Sequence, residues 1–358
     1  MSRPSAPVQE RPPRIALGAK TLLPTLVSLV LAGVVLGFLV VRFDVDLGAT
    51  WRLVRSSNPG WYALAFVAYY LSFLPRGLRW RLMAQGAGIG SGPGERLPSA
   101  LEAGYYILQA WFLNAVGWLR VGDPYRAYAF ARSSGSPFAR VLGTVAGERV
   151  MDLGAMVVLL LVSAGALALL HQGGRLGMWF VAVGAGLTTI GAVVLAAMAR
   201  WGMRLVARLP SALRGLYEGF HQGALQGVRW RMGAVLGLGV VGWLLEALRL
   251  GMVALALGVD LSPWMVLFVA LANALLTAIP LSPGGLGFVE AGVVGLLVLT
   301  LPTESAVAVA VLDRSVSYLS VVVFGGLAFL VYQVRQGLPP RPSSGPPAPA
   351  GGAPRRPR

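Results

Sequence analysis

The chain has no cysteine and only two histidines, His171 and His221. Without cysteine there is no disulfide framework, thiolate metal site or thiol nucleophile. With two histidines, a histidine-rich zinc site or a Ser-His-Asp triad is poorly supplied. Charge is scarce as well. Only 12% of the 358 residues are charged, against about 25% in a soluble domain. Lysine is nearly absent, with Lys20 standing alone among the 30 basic residues. What fills the space is apolar: 56% of residues are hydrophobic, and mean hydropathy is +0.69. These values exclude a soluble globular enzyme and, for the bulk of the chain, a disordered or fibrous protein. A polytopic membrane protein is what is left.

The formal net charge of +16 would point to nucleic acid in a soluble protein. Here the arginines fall between apolar runs, so membrane topology accounts for them and no nucleic-acid partner is expected. Residues 1–20 and 336–358 are rich in Pro and Arg and too polar to bury a core. They read as disordered cytoplasmic tails flanking a membrane domain over 21–335.

A spanning helix needs about 20 apolar residues. Six segments meet the requirement: Leu22–Val41, Trp61–Leu74 behind an Asn58-Pro59 start, Val141–Leu170, Met178–Met198, Gly233–Gly258 and Ser305–Tyr332. Two further stretches are too short or too broken to span. Leu101–Trp118 begins with the capping box Ser99 to Glu102. Residues 263–301 are interrupted by Pro280-Leu-Ser-Pro283-Gly284-Gly285-Leu-Gly287, which no helix continues through. Irregular backbone at membrane depth has to be buried in protein or line a cavity. Both stretches are therefore expected to be re-entrant or broken elements. The predicted fold is an all-α membrane bundle.

Placing both termini in the cytoplasm puts 23 basic residues on that side and 4 outside, the bias expected of the cytoplasmic face. Arg200, Arg204 and Arg208 share a helical face beside Trp201, which predicts an interfacial helix across residues 200–230. An offset of 165 residues superposes Gly122 on Gly287, Glu148 on Asp313 and Arg149 on Arg314. With an odd number of spans per half, segments 21–172 and 173–335 would form an inverted repeat, a common transporter plan.

Charge inside the apolar segments is the strongest chemical signal. Glu148, Arg149, Asp152, Glu246, Arg249, Asp313 and Arg314 all fall within predicted spans. Each costs about 2.5–3.5 kcal/mol at a helix centre. They have to pair with one another or line a wet cavity. Arg149, Arg249 and Arg314 could bind an anionic group, since a guanidinium fork suits a phosphodiester. The carboxylates Glu148, Asp152, Glu290 and Asp313 would then hold them in place. At the break, Pro283, Gly284, Gly285 and Gly287 precede a helix whose positive end faces the gap, a second anion-favouring feature. Asn273 aligns with Asn114 at a different offset, 159. Arg120 and Arg126 are expected at a cytoplasmic mouth, facing the leaflet that carries anionic lipids.

Taken together, the stretch Asn114–Asp152 with Gly147-Glu148-Arg149-Val-Met-Asp152, the Pro283-Gly-Gly-Leu-Gly-Phe-Val-Glu290 element and Asp313-Arg314 resemble the lysylphosphatidylglycerol synthase transmembrane region, a flippase-like family. The resemblance covers roughly residues 20–335. It departs from the family pattern at Trp118, where proline is expected. It implies a multi-pass protein of the cytoplasmic membrane that moves anionic phospholipid between leaflets. The soluble aminoacyl transferase domain often fused to such a region has no counterpart in this sequence, so lipid aminoacylation does not follow from it. The expectation is a lipid translocator rather than an enzyme, with no cofactor or metal and with anionic lipids as partners. A second copy or a partner synthase would be a further partner. A membrane-embedded lipid transferase and a substrate-free assembly subunit are the competing readings.

Overall fold

The computed structural model describes residues 46–117, 120–169, 210–278 and 282–337, with residue 41 and scattered positions over 182–202. The expected first span apart from Val41, most of Met178–Met198, Trp118, Pro280, Arg204, Arg208, the N-terminal tail and residues 338–358 lie outside the described residues. Twelve α-helices and no strand occur among the described residues. An all-α membrane bundle is thus the architecture.

A short helix, α1 (Leu47–Arg55), is capped by the Asp46 carboxylate. The next, α2 (Pro59–Leu71), begins as expected: the Asn58 side chain accepts from the backbone N–H groups of Gly60 and Trp61, with proline at the first position. The helix does not stop at Leu74. After Ser72 it is followed by α3 (Phe73–Gly86). Pro75 has no N–H to give to the Leu71 carbonyl, which accounts for the interruption between them. Residues 76–86, beyond the predicted span Trp61–Leu74, are therefore helix, and Arg76 and Arg79 are buried in it.

α4 (Ala100–Val116) opens on the expected capping box, both halves of which form: Ser99 Oγ accepts from Glu102 N at 3.2 Å, and Glu102 Oε2 accepts from Ser99 N at 2.8 Å. α5 (Gly122–Ser134) follows a turn in which Arg120 takes a left-handed conformation, φ 53°. α6 (Phe138–Leu169), α8 (Met232–Ala256) and the continuous helical stretch Thr303–Arg335 are long and apolar enough to cross a membrane. Lipid-facing positions on α6 include Val158, Leu161 and Val162, all exposed.

α7 (Ser211–Arg229) and a π-helical turn at Met198–Gly202, which holds Arg200 and Trp201, are the described parts of the expected interfacial helix. The first half of α7 carries exposed Leu213 and Leu216. Its second half packs one face against α6 while Gln226 and Arg229 stay exposed. Gly223 sits against α6 so closely that a Cβ there would come 2.0 Å from the Arg140 carbonyl oxygen, and one at Gly143 would come 2.1 Å from that of Phe220. Small residues permit this backbone-to-backbone approach, the usual device where lipid removes any hydrophobic drive between helices.

The second broken element consists of α9 (Pro263–Ala278), a tight 3-10 turn at Pro283–Gly285, and α10 (Phe288–Leu297). Gly284 and Gly287 take positive φ, 59° and 81°, which residues with a Cβ avoid. These glycines let the chain reverse into α10. Thr303–Gly337 contains α11 (Thr303–Arg314), two π-helical turns at Ser315–Leu319 and Val321–Gly325, and α12 (Gly326–Gly337). Three tyrosines of α2 hold the π segment. Tyr62 and Tyr70 share hydrogen bonds of 2.7 Å with the Ser315 and Ser320 hydroxyls, and Tyr69 donates to the Ser317 carbonyl at 3.0 Å.

Candidate functional site

A cavity of about 450 Å³ lies at the centre of the bundle. Both interrupted elements contribute to its wall, the first through Asn114 and Gly117 and the second through Thr277, Ser282 and Gly284. The π segment adds Ser317, Tyr318 and Val321. Five arginines line it (Arg76, Arg120, Arg149, Arg249 and Arg314) against three acids (Asp123, Asp152 and Glu246). Its wall thus carries more positive than negative groups, and an anion entering it would be attracted.

The charges around the cavity form two networks. In the first, Arg79 of α3 reaches both oxygens of Asp152 and donates to Glu148 Oε1 at 2.6 Å. The other oxygen of Glu148 accepts from Arg126 at 2.9 Å, and the Arg126 guanidinium lies over the Trp80 ring, 4.9 Å from its centroid. Asp123, in the first turn of α5, accepts from Arg149 at 2.5 Å and also faces Arg126 and Arg120. In the second, Arg249 pairs with Asp313 and, at 3.3 Å, with Glu246. Asn273 Nδ2 donates to the remaining Asp313 oxygen at 3.3 Å. Arg314 donates to Glu290 at 2.5 Å and to the Gly284 carbonyl at 2.7 Å. Arg76 joins this network through Glu246, at 3.2 Å.

Of the residues expected from sequence, Arg120, Arg149, Asp152, Arg249, Asn273, Gly284 and Arg314 are brought together on the cavity wall. Glu148, Glu290 and Asp313 stand behind it, each paired to an arginine. Pro283, Gly285 and Gly287 shape the turn without lining the cavity. Arg126 is enclosed, 1% exposed, rather than placed at a mouth. The pairing also differs from the expectation that Glu148 and Asp152 hold Arg149. They hold Arg79 and Arg126, and Asp123 holds Arg149.

Arg149 and Arg314, the residues matched at an offset of 165, each pair with an acid in the first turn of the helix after a break. Arg76 and Arg79 were missed. A signal for them exists: Arg76, Arg79, Trp80 and Met83 recur at helical spacing and are buried, whereas Leu74 and Leu78 face outward. The face that carries charge is the inner one. Among the described residues, no group of three or more His, Asp or Glu side chains could hold a metal ion.

Three relatives are informative. The chain is 30% identical over 224 residues to a UPF0104 membrane protein of Methanocaldococcus jannaschii, a match covering 62% of this chain and 94% of that protein. A UPF0104 membrane protein of Methanothermobacter thermautotrophicus is 24% identical over 341 residues, covering 86% of this chain and 93% of that one. Glycosyltransferase AglD of Haloferax volcanii is 26% identical over 340 residues, which is 83% of this chain but 53% of that protein. The motif-bearing segments that build both charge networks fall inside residues 26–325, the stretch matched by the lysylphosphatidylglycerol synthase TM region, and the chain belongs to that membrane protein family.

Proposed function

We propose that this protein is a flippase or translocator that carries an anionic phospholipid, or a lipid-linked anionic substrate, across the cytoplasmic membrane, with both of its termini in the cytoplasm. The observation that carries the reading is the central cavity, walled by five arginines against three acids and bordered by both broken elements. Arg149 and Arg314 are the main phosphate-neutralising groups. Each has one carboxylate partner within 4.0 Å, Asp123 and Glu290 respectively. Arg249, also on the wall, is anchored by two acids, Asp313 and Glu246. The matched placement of Arg149 and Arg314 supports an inverted-repeat arrangement in which the two breaks act as gates on opposite sides.

Reconstitution into vesicles carrying a fluorescent anionic phospholipid, with dithionite quenching of the outer leaflet, tests this reading. Wild type should exchange the lipid between leaflets, and Arg149→Ala and Arg314→Ala should each slow exchange about tenfold or more, the worth of a charge-assisted hydrogen bond. Exchange at the protein-free rate, or unchanged rates in both variants, defeats the proposal.

The similarity to a protein named as a glycosyltransferase favours a second reading, transfer of a group to or from a lipid carrier within the cavity. Turnover of a radiolabelled lipid-linked sugar by the purified protein would establish it.

A further inference from the structure

Among the described residues several buried hydrogen-bond donors have no protein acceptor, and two of them belong to adjacent side chains near the middle of the molecule. Arg76 Nε and Trp243 Nε1 are both buried, and neither meets an oxygen of the protein. Both residues line the central cavity. The Arg76 guanidinium is clamped between two rings, 4.9 Å from the Trp111 centroid and 5.0 Å from that of Trp243. Its Nη2 is tied to Glu246 at 3.2 Å. Three neighbours therefore fix its plane and leave Nε undirected. Beside it, Gly242 carries no side chain, and a methyl group there would lie 3.6 Å from Nε.

A buried donor without an acceptor is costly, and native proteins leave few of them. Two in adjacent side chains, on a wall with surplus positive charge, point to an anionic oxygen acceptor arriving from the cavity. The nearby acids are already engaged: Asp152 by Arg79, Asp123 by three arginines, Glu246 by Arg76 and Arg249. Guanidinium and indole N–H groups together suit the non-bridging oxygens of a phosphoric ester.

We infer that Arg76 and Trp243 form a phosphoryl-oxygen subsite, with Arg76 Nε–H and Trp243 Nε1–H donating to an ester phosphate that enters the cavity. The subsite rests on the proposed function in so far as that phosphate belongs to a lipid headgroup. The same donors would take inorganic phosphate. Its position adds a consequence. Arg76–Glu246 is the buried ion pair that connects segment 21–172 to segment 173–335; the other buried pairs described above each stay within one segment. A phosphate at Arg76 Nε brings a second negative charge beside Glu246, which is held on Nη2, so occupancy weakens a link between the two segments.

The test uses the full chain purified in dodecyl maltoside, a detergent without phosphate. Two probes, dihexanoyl phosphatidylglycerol below its micellar concentration and inorganic phosphate, are titrated by calorimetry and by shift in thermal midpoint. Trp243→Phe keeps the ring and removes the donor; Arg76→Lys keeps the charge and removes Nε. Trp230→Phe, a change at an exposed tryptophan away from the cavity, is the control. We expect phosphatidylglycerol affinity to fall about tenfold in Trp243→Phe and in Arg76→Lys, and to stay unchanged in Trp230→Phe. Binding of inorganic phosphate without binding of the lipid, lost in the same two variants, upholds the subsite and removes the lipid reading. Wild-type affinity for both probes in both cavity variants overturns the subsite. So does a wild-type protein that binds neither probe. Leaflet exchange that persists alongside either of those results leaves the proposed function standing without it.

Discussion

Arg79 shows how a charge is held inside this bundle. Its guanidinium meets both oxygens of Asp152 and one of Glu148, and its side chain is 3% exposed. Removing one member of such a group leaves a buried, uncompensated charge, at a cost of about 3–5 kcal/mol, whereas replacing both members with apolar side chains costs far less. Asp152→Leu should therefore lower unfolding stability in detergent by about 3–5 kcal/mol. Arg79→Met combined with Asp152→Leu should recover more than half of that loss, because Glu148 keeps Arg126 as its partner. Thermal unfolding of the single and double variants reads the coupling directly. A loss in the double variant equal to the sum of the separate Asp152→Leu and Arg79→Met losses would show that the pair does not act as a unit.

At the level of elements, close packing of backbones matters more than side-chain bulk. Where α6 meets α7, a Cβ on Gly223 would lie 2.0 Å from the Arg140 carbonyl oxygen and 3.0 Å from the Thr144 amide nitrogen. Gly237, within α8, has nothing within 4 Å of the same virtual atom. Gly223→Ala should destabilise by about 1–3 kcal/mol through forced separation of the helices. Gly237→Ala should stabilise by about 0.5–1 kcal/mol, the difference in helix propensity. Melting midpoints that move in the same direction for both variants would contradict this account.

The same contrast explains what could be read from the chain beforehand. Caps and breaks are local, and Asn58-Pro59, the Ser99–Glu102 box and the Pro283–Gly287 interruption all form where their residue types demand. Arg76 and Arg79 resisted such a reading because hydropathy scores them as the end of a span, and only their helical register beside Trp80 and Met83 places them inside. The exchange of partners, Asp123 with Arg149 and Glu148 with Arg79, is a matter of tertiary distance. No spacing along the chain encodes it.

For the molecule as a whole, the decisive property is a polar interior surrounded by lipid-facing apolar helices. The sequence lacks cysteine, so single cysteines report their own surroundings. Thr277→Cys and Ser317→Cys on the cavity wall should react with a membrane-impermeant maleimide in reconstituted protein. Val158→Cys and Leu161→Cys, exposed on α6, should stay unlabelled for lack of water around them. Labelling of the α6 positions with protection of the cavity positions would invert the assignment of inside and outside.

The last helical stretch carries a consequence of its own through its two successive π turns, Ser315–Leu319 and Val321–Gly325. An α-helix advances about 100° per residue, and a π turn accommodates one residue more than an α turn. The Thr303–Arg314 portion and the Gly326–Gly337 portion are thus offset in azimuth by surplus residues stored between them. Re-pairing a few amide hydrogens from the fifth preceding carbonyl to the fourth would swivel one portion against the other while the rod remains helical throughout. Three tyrosine hydroxyls of a neighbouring helix rest on that store, like fingers on a combination dial.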